Sequence, residues 1–425
     1  MITPVVLVLV GLALLGLPLF VVLGMGSLFG AWLTGLDPAV LVVETNRLAS
    51  SPTLIAIPLF TLAGTVLAGG GAPRRMIRLF NAAFGWIPGG IAVVTLTSCA
   101  FFTAFSGASG ITILALGGLL YPILVEGRYN ERFALGLITS SGSLGLLFAP
   151  SLAILLYGIV ATVSIEHLFL AGFMPGLLLL AMLAVYSAYT GKRSGIPKHE
   201  FSVKELRAAA LHGLWDILLP AGIIIGIFGG YVTITEAAAC TAAYVLFVEL
   251  VIHRTLRLNH RLFLIAKDAA VLVGSILIIL SMAMGVTNLL VDSQVPMRIL
   301  AALQETITSQ LQFLLLLNLF LLAVGAMMDI FSAIIVVVPL ILPLALRFGV
   351  DPVHLGIIFL ANLEIGYCTP PVGINLFISS QRLHKPILTC FRASLPFLGI
   401  MMVWLVLVTY VPFFSLWWRG LWVPS

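Results

Sequence analysis

Charged residues are scarce in this sequence: Asp, Glu, Lys and Arg make up 9% of 425 residues, whereas 61% are hydrophobic. The mean hydropathy is +1.18. Soluble domains carry about 25% charged residues, so this composition excludes a soluble globular protein and indicates a membrane protein. Apolar runs of about 20 residues leave room for roughly ten passages through a bilayer. The net charge of +5 is small, and we expect the chain to lie in a lipid bilayer and to bind no nucleic acid.

Motifs for ATP hydrolysis, metal binding and redox chemistry are also missing. Without a GxxxxGK(S/T) phosphate loop, we expect no direct drive by ATP from within this chain. The histidines lack HExxH spacing, and the four cysteines lack CxxC spacing and lie mostly in apolar runs, which is typical of buried thiols. No nucleophile and base stand together. We therefore expect no enzymatic activity, no organic cofactor and no transition metal.

The first part of the chain has no Lys or Arg before Arg47, and its apolar run extends from Pro4 to beyond Gly30. A cleavable signal peptide has a shorter apolar region and a basic start. We therefore predict a retained first transmembrane helix over about 4–34, within an N-terminal scaffold segment of residues 1–50.

A helix-breaking stretch, Gly366-Tyr367-Cys368-Thr369-Pro370-Pro371-Val372-Gly373, interrupts the apolar run from about Val353 to Ile378. Two adjacent prolines flanked by glycines cannot continue an α-helix. Within hydrocarbon, the backbone carbonyls freed by such a break are tolerated only where they line a cavity or face protein. The stretch therefore predicts a broken transmembrane helix with a binding place for a small ion or substrate.

The second half of the chain repeats the first. Pro122, Pro150 and Pro175 match Pro343, Pro371 and Pro396 at one offset of 221 positions. The same offset superimposes two sets of predicted elements, which indicates internal duplication. The first repeat, 51–190, contains span 51–71, an interfacial amphipathic arm 73–86, hairpin 88–125, broken helix 133–163 and span 168–190. We expect Arg74, Arg75 and Arg78 to anchor the arm at the membrane interface, and the hairpin is interrupted at 103–110. Two basic cytoplasmic loops, 191–213 and 253–268, and two scaffold spans between them fill 191–268. The second repeat, 270–413, contains span 270–292, an arm 294–308, hairpin 311–346, broken helix 353–380 and span 386–413, and 414–425 form a tail.

Charge then predicts the topology. If each hairpin returns to the side it entered, the chain makes roughly nine crossings, with its N-terminus inside and its C-terminus outside. Of 21 Lys and Arg, all but Arg47, Arg298, Arg347 and Arg419 then fall in cytoplasmic loops, as the positive-inside rule requires. The first hairpin opens to the cytoplasm and the second to the outside. The predicted fold class is an all-α polytopic membrane protein with inverted-topology repeats, each with a re-entrant hairpin and a broken transmembrane helix.

The residues at the four breaks are mainly Ser, Thr, Gly, Pro and Asn. Their neutral oxygens suit Na⁺, and the N-terminal ends of half-helices suit a carboxylate. The alternative interpretation is that these small residues only allow close helix packing. The first predicted Na⁺ site comprises Ser106, Gly107, Ser109, Ser141, Gly142 and Gly145. The second comprises Asp329, Ser332, Gly366, Thr369, Pro370 and Gly373. Substrate contacts are predicted for Ser106, Ala108, Ser109, Ser140, Pro150, Thr369, Pro371 and Asn375.

Placing an ionisable acid within the membrane costs free energy, so we expect each such acid to have a structural or functional role. Asp329 is a candidate for a site residue or a helix cap, and Glu364 for a site residue or a protonated structural group. Glu236 follows Thr233 at capping-box spacing, and Asp351-Pro352 is typical of a helix start.

Several motifs together resemble the large membrane subunit (DctM-like, M subunit) of the TRAP transporters, the tripartite ATP-independent periplasmic transporters. The matching runs are Phe105-Ser106-Gly107-Ala108-Ser109, Thr235-Glu236-Ala237-Ala238-Ala239, Gly325-Ala326-Met327-Met328-Asp329, Gly349-Val350-Asp351-Pro352-Val353-His354, and Gly366 to Leu376 with its Thr-Pro-Pro-Val-Gly-x-Asn-Leu core. The sequence departs from many relatives at Gly110-Ile111-Thr112, where they carry Ala and Ser.

This resemblance implies a Na⁺-coupled, elevator-type importer of an organic acid (a dicarboxylate, another carboxylate or sialic acid) in the bacterial inner membrane. It also implies two partners: a small four-helix membrane subunit (Q-type), expected as a separate chain, and a periplasmic substrate-binding protein (P-type). A self-sufficient Na⁺/dicarboxylate symporter of a related inverted-repeat fold is the main alternative. A channel and an intramembrane enzyme are weaker ones.

Overall fold

The computed structural model describes residues 17–35, 52–195, 201–257, 260–292 and 309–420, together with a few isolated positions. All regular elements in these ranges are helical, as the predicted all-α class requires. Seven of the described helices are long and apolar enough to cross a membrane, or up to nine if each bent pair is one span.

The first half of the chain forms a sequence of helices that is interrupted where its glycines and prolines predict. The helices are α1 Leu19–Thr34, α2 Ala56–Gly69, α3 Ala72–Phe84, α4 Gly90–Ser106, α5 Ser109–Glu126, α6 Glu131–Ser141, α7 Leu152–Ala161 and α8 Ile165–Arg193. Thus α4 and α5 are the arms of the first hairpin, with a break at Gly107-Ala108, and α6 and α7 are the halves of the first broken helix.

The second half repeats this order after two linking helices. The helices are α9 Val203–His212, α10 Leu214–Phe228, α11 Ile234–Ile252, α12 His260–Asp292, α13 Gln310–Met327, α14 Ile330–Arg347, α15 Pro352–Gly366, α16 Ile374–Leu383, α17 Ile387–Tyr410 and α18 Phe413–Leu416. The second hairpin is α13 and α14, and the second broken helix is α15 and α16.

Two predicted loops are wrong in extent. The loop expected over 253–268 ends early, because α12 begins at His260 and is 33 residues long. The loop expected over 191–213 contains the short helix α9. Charged side chains suggested loops there, but a helix end that reaches the membrane surface keeps its charges in water. The arm expected over 294–308 and the start of the first helix lie outside the described residues.

The predicted helix caps are confirmed. Thr233 and Glu236 form a reciprocal capping box at the start of α11, with the Glu236 carboxylate accepting from the Thr233 amide at 2.8 Å. The Asp351 carboxylate accepts from the amides of Val353 and His354 at the start of α15.

Helix α8 runs between two opposite ends of the bundle. Near its start, His167 stacks on Trp418, with ring centroids 4.4 Å apart. The neighbouring Arg419 pairs with Asp351 at 2.5 Å, which marks this end. Near the other end of α8, about 30 Å further along a helix axis, the Ser187 carbonyl lies against Gly89, directly before α4. That separation matches the thickness of a hydrocarbon core.

The two hairpins open at these opposite ends. Gly127, after the first hairpin, packs on Ile91 near its start, so both arms return to the end marked by Gly89. Gln310 at the start of the second hairpin donates to the Gly349 carbonyl at 3.0 Å, so both arms return to the end marked by Asp351. This is the relation that inverted repeats require.

Each hairpin packs on its broken helix through a glycine that allows backbone contact. A Cβ at Gly366 would lie 2.3 Å from the carbonyl carbon of Gly325 in α13. A Cβ at Gly145 would lie 2.3 Å from the amide nitrogen of Ala104 in α4. Both pairs are related by the offset of 221 positions, so the two halves share a three-dimensional contact as well as proline spacing.

The arm helix α3 bends by 71° from α2, but its arginines do not all face the membrane surface. Arg75 turns inward and donates to Asp216 at 2.6 and 2.8 Å and to Glu249 at 2.6 Å. Glu249 also accepts from the Gly71 amide at 3.0 Å and from the Thr255 hydroxyl. This buried cluster joins α3 to α10 and α11, which corrects the expectation that all three arginines of the arm anchor it to the interface.

We predict that Arg75→Ala destabilises the protein by about 3–5 kcal/mol, because it leaves two buried carboxylates without their cation. Thermal unfolding in nanodiscs measures the loss. Arg78→Ala on the same helix is the matched control, since Arg78 is exposed. Equal melting temperatures for the two variants would contradict a structural role for the cluster.

We predict that Gly366→Ala lowers stability by about 1–3 kcal/mol or more, because the added methyl meets backbone atoms that cannot rotate away. Gly399→Ala is the control, since no atom lies within 4 Å of the added Cβ there. The two melting temperatures are compared in the same lipid. A Gly366 variant as stable as the Gly399 variant would show that the hairpin is not packed on the broken helix as described.

Candidate functional site

The tips of the two hairpins line one cavity of about 530 Å³. Ala108 and Ser109 contribute from the first tip, and Asp329 and Ser332 from the second. Helices α2, α12 and α16 complete the walls. Two breaks that are remote in sequence, on hairpins that open at opposite ends, thus meet at one place.

A chain of hydroxyl groups connects the first tip to the first broken helix. The Thr103 hydroxyl donates to the Gly142 carbonyl at 2.7 Å and lies 2.8 Å from the Thr112 hydroxyl. The Thr112 hydroxyl lies 3.4 Å from that of Ser106, which donates to the Ala108 carbonyl at 3.3 Å. All three hydroxyl residues are buried. These neutral oxygens are the ligand type that suits a monovalent cation.

The other members of the first predicted Na⁺ site lie along the same contact. Gly107, at φ +63°, packs its backbone on Leu152 at the start of α7, where a side chain would not fit. Ser141 is buried and directs its hydroxyl at the Ile138 carbonyl of its own helix, at 3.3 Å. Ser109 lines the cavity.

Two residues predicted to contact substrate on the first broken helix lie away from the cavity. The Ser140 hydroxyl donates to the Gly136 carbonyl one turn back in α6, at 2.7 Å. Pro150 lies within the break between α6 and α7 and is buried, and its peptide bond with Ala149 is cis.

The second tip is built on a capped helix start. The Asp329 carboxylate accepts from the amides of Phe331 and Ser332 at 3.0 Å each, and from the Ser332 hydroxyl. The Ile330 amide donates to the Tyr367 hydroxyl at 2.5 Å, which ties the tip to the second broken helix. Asp329 therefore caps α14 and lines the cavity at the same time, so the two roles predicted for it are compatible.

The second broken helix places its predicted residues in several environments. Gly373 donates its amide to the Ala326 carbonyl at 3.2 Å, behind the second tip. The Thr369 hydroxyl is half-buried and donates to the Ile365 carbonyl at 3.0 Å. Pro370 and Pro371, joined by a cis peptide bond, are exposed.

Asn375 connects the two repeats. Its buried side chain donates to the Thr139 carbonyl of α6 at 3.3 Å and lies 3.8 Å from the Cys368 sulfur. Its backbone amide donates to the Tyr367 carbonyl at 3.0 Å. Asn375 thus lies where the broken helices approach each other, outside the lining of the cavity.

The charged side chains that line the cavity are both acidic: Asp329 at the second tip and Asp268 on α12. Hydroxyl-bearing Thr65 and Ser275 add further oxygen atoms from α2 and α12. Such a lining attracts cations.

Sequence reasoning missed six polar residues of this region: Thr65, Thr103, Thr112, Asp268, Ser275 and Tyr367. Thr103 and Thr112 stand within or beside the predicted interruption, and Tyr367 within the Gly-Tyr-Cys-Thr-Pro-Pro run, so position alone could have indicated them. Asp268 was missed because residues up to 268 were assigned to a loop, and Thr65 and Ser275 because they lie inside predicted spans that contain no break. An acid followed by a long apolar run was the available signal.

Comparisons with known proteins agree with this architecture. The sequence model of the family described as "Tripartite ATP-independent periplasmic transporter, DctM component" matches residues 5–414. The C4-dicarboxylate TRAP transporter large permease protein DctM of Vibrio cholerae is 35% identical over 96% of this chain and 95% of that protein. The ectoine TRAP transporter large permease protein TeaC of Halomonas elongata is 31% identical over 99% of each.

A solved structure shows the same fold. The Alcanivorax borkumensis YdaH transporter superimposes with a TM-score of 0.63 and 15% identity, over 90% of this chain and 87% of that one. With the family match across nearly the whole chain, the apolar helices and the paired breaks, the conclusion is that this multi-pass membrane protein belongs to the DctM family, the large permease component of the TRAP transporters.

Proposed function

We propose that this chain imports an organic acid across the bacterial inner membrane by Na⁺-coupled secondary transport, with the substrate held between the two hairpin tips. The observation that carries the proposal is the shared cavity, since hairpins that open at opposite ends both reach it. A site bounded by two such tips can be closed from either side in turn, which is what alternating access requires.

The charge of the cavity supports Na⁺ coupling. A carboxylate substrate entering beside Asp268 and Asp329 meets two like charges, which disfavour its binding. Cations at the hydroxyl chain of the first tip and at the Asp329 tip offset that repulsion. Na⁺ binding therefore precedes or accompanies substrate binding, and the two are coupled through shared electrostatics.

The tight packing of hairpins on broken helices supports an elevator mechanism. Backbone contacts at Gly145 and Gly366 make each hairpin and its broken helix one unit. The buried Arg75 cluster instead fastens the arm α3 to α10 and α11. The two hairpins and their broken helices then move as a unit against a scaffold that includes α3, α10 and α11. The concentration of Lys and Arg in one set of loops orients the end marked by Gly89 towards the cytoplasm.

The partners follow from the tripartite character of the family. We propose that a small four-helix membrane subunit binds the scaffold and that a periplasmic substrate-binding protein delivers the organic acid. The named substrates of the two relatives, a C4-dicarboxylate and ectoine, both carry carboxylates.

Uptake into proteoliposomes tests the function. The chain is reconstituted with its small membrane subunit, a Na⁺ gradient is imposed, and labelled acid is offered with and without the cognate binding protein. Accumulation that needs both the gradient and the binding protein is expected. Accumulation with the gradient alone would favour a self-sufficient symporter, and flux independent of any gradient would favour a channel.

We predict that Ser106→Ala, Thr103→Val and Thr369→Ala each raise the Na⁺ concentration for half-maximal uptake about fivefold, because each removes a polar contact worth about 1 kcal/mol. Thr241→Ala is the control, since Thr241 lies on the scaffold helix α11, away from both proposed ion sites, and its hydroxyl donates only to the Ala237 carbonyl. Unchanged Na⁺ dependence in all three site variants would overturn the assignment of the ion sites.

A further inference from the structure

Glu364 is a buried carboxyl group with no partner. Its side chain has no exposed surface, and neither carboxylate oxygen accepts or donates a hydrogen bond. It lies 12 positions after Pro352, about 18 Å along the axis of α15, past the middle of a 30 Å hydrocarbon core. At this depth, and fully enclosed by protein, the carboxyl group is therefore not hydrated by bulk water.

The other buried carboxylates of the described chain are well supplied with donors. Glu249 has no exposed surface either, but it accepts from Arg75, the Gly71 amide and the Thr255 hydroxyl. Asp216 accepts two hydrogen bonds from Arg75. These groups can hold a negative charge, whereas an ionised Glu364 would pay the full cost of desolvation with nothing to offset it.

The position of Glu364 places it where the two broken helices meet. Cys368 lies four positions further along the chain, just past the end of α15, and its thiol donates to the Thr139 carbonyl of α6 at 3.6 Å. Asn375 donates to the same carbonyl, and its own amide oxygen has no partner. Ser143, the position equivalent to Glu364 at the offset of 221, also has a buried hydroxyl without a partner. Unsatisfied polar groups thus gather on both halves at this crossing.

We propose that Glu364 is a proton-binding site of this protein, and that it holds its proton while the broken helices are packed as in this structure. Binding of a proton neutralises the carboxylate, and a proton needs no cavity beside the side chain. Glu364 lies outside the lining of the cavity between the tips, so the site is separate from the proposed substrate and Na⁺ sites. Packing at the crossing then favours the protonated form, and loosening it favours release of the proton.

Few titratable groups face this site. The nearest along the chain is the Cys368 thiol, just past the end of α15, and the hydroxyl of the adjacent Tyr367 accepts a hydrogen bond from the Ile330 amide. Tyr157 of α7 donates to the Pro352 carbonyl at the far end of α15. The helix α13, which packs along α15, contains no titratable residue. The basic and acidic residues of α8, the basic residues and Tyr410 of α17, and Arg347 of α14 lie towards the ends of those helices.

Infrared difference spectroscopy of the purified protein in nanodiscs tests the proposal without any transport assay. At neutral pH and without Na⁺, we expect the wild type to show the carbonyl stretch of a protonated carboxylic acid. Glu364→Gln is expected to lose that band, whereas Glu249→Gln, which changes an equally buried but well-partnered carboxylate, keeps it. Raising the pH is expected to remove the band from the wild type.

Three results would overturn the proposal. One is a band that persists in Glu364→Gln, and another is the absence of a band in the wild type at neutral pH. The third is loss of the band when Na⁺ is added at constant pH, which would make this a metal-cation site. Glu364→Gln keeps the shape of the side chain without charge, so we expect it to melt at or above the wild-type temperature. A large fall would show that the ionised form is needed. If Glu249→Gln does not fold, the pH-dependent spectra of the wild type and Glu364→Gln decide the question alone.

Discussion

Close backbone contact at two glycines is the constraint on which the rest of this structure depends. A helix that breaks inside a membrane exposes carbonyl and amide groups that lipid cannot satisfy. Here Gly145 and Gly366 allow a hairpin to lie directly against each broken helix. The second hairpin satisfies backbone groups of the second break, since the amides of Val372 and Gly373 both donate to the Ala326 carbonyl. The broken backbone is therefore satisfied by protein, and polar side chains remain free to line a cavity.

The breaks could be predicted from the sequence because their cause is local. Proline lacks an amide hydrogen and its ring excludes a continuous helix, so Pro150 and Pro370-Pro371 mark interruptions whatever surrounds them. The duplicated proline spacing then located the equivalent elements. The ends of helices at the membrane surface, such as the start of α12 at His260, were harder to predict. Hydropathy indicates where the lipid ends, whereas a helix continues as far as its backbone hydrogen bonds do.

The partners of individual polar side chains could not be predicted, because they depend on packing between distant segments. The arm carries three arginines in five positions, and their alternation with apolar residues does not show that Arg75 alone turns inward. Its partners, Asp216 and Glu249, are more than 100 positions away. Thr103 is similar: its hydroxyl donates to the Gly142 carbonyl at the end of α6, and the sequence near Thr103 does not identify that partner.

The two repeats share their geometry but not their chemistry. At the offset of 221, Ser106 of the first tip corresponds to Met327, Ala108 to Asp329 and Ser143 to Glu364. Around its breaks the first half therefore offers hydroxyl groups and no acid, whereas the second half carries the two carboxyl groups. A duplicated scaffold needs the same glycines in both halves, because backbone contact permits nothing larger. The side chains around the breaks are under no such constraint, so one half can specialise in uncharged oxygens and the other in acids. In the proposed transport cycle, the negative charge of Asp329 at the second tip makes cation binding a condition for admitting an anionic substrate between the tips.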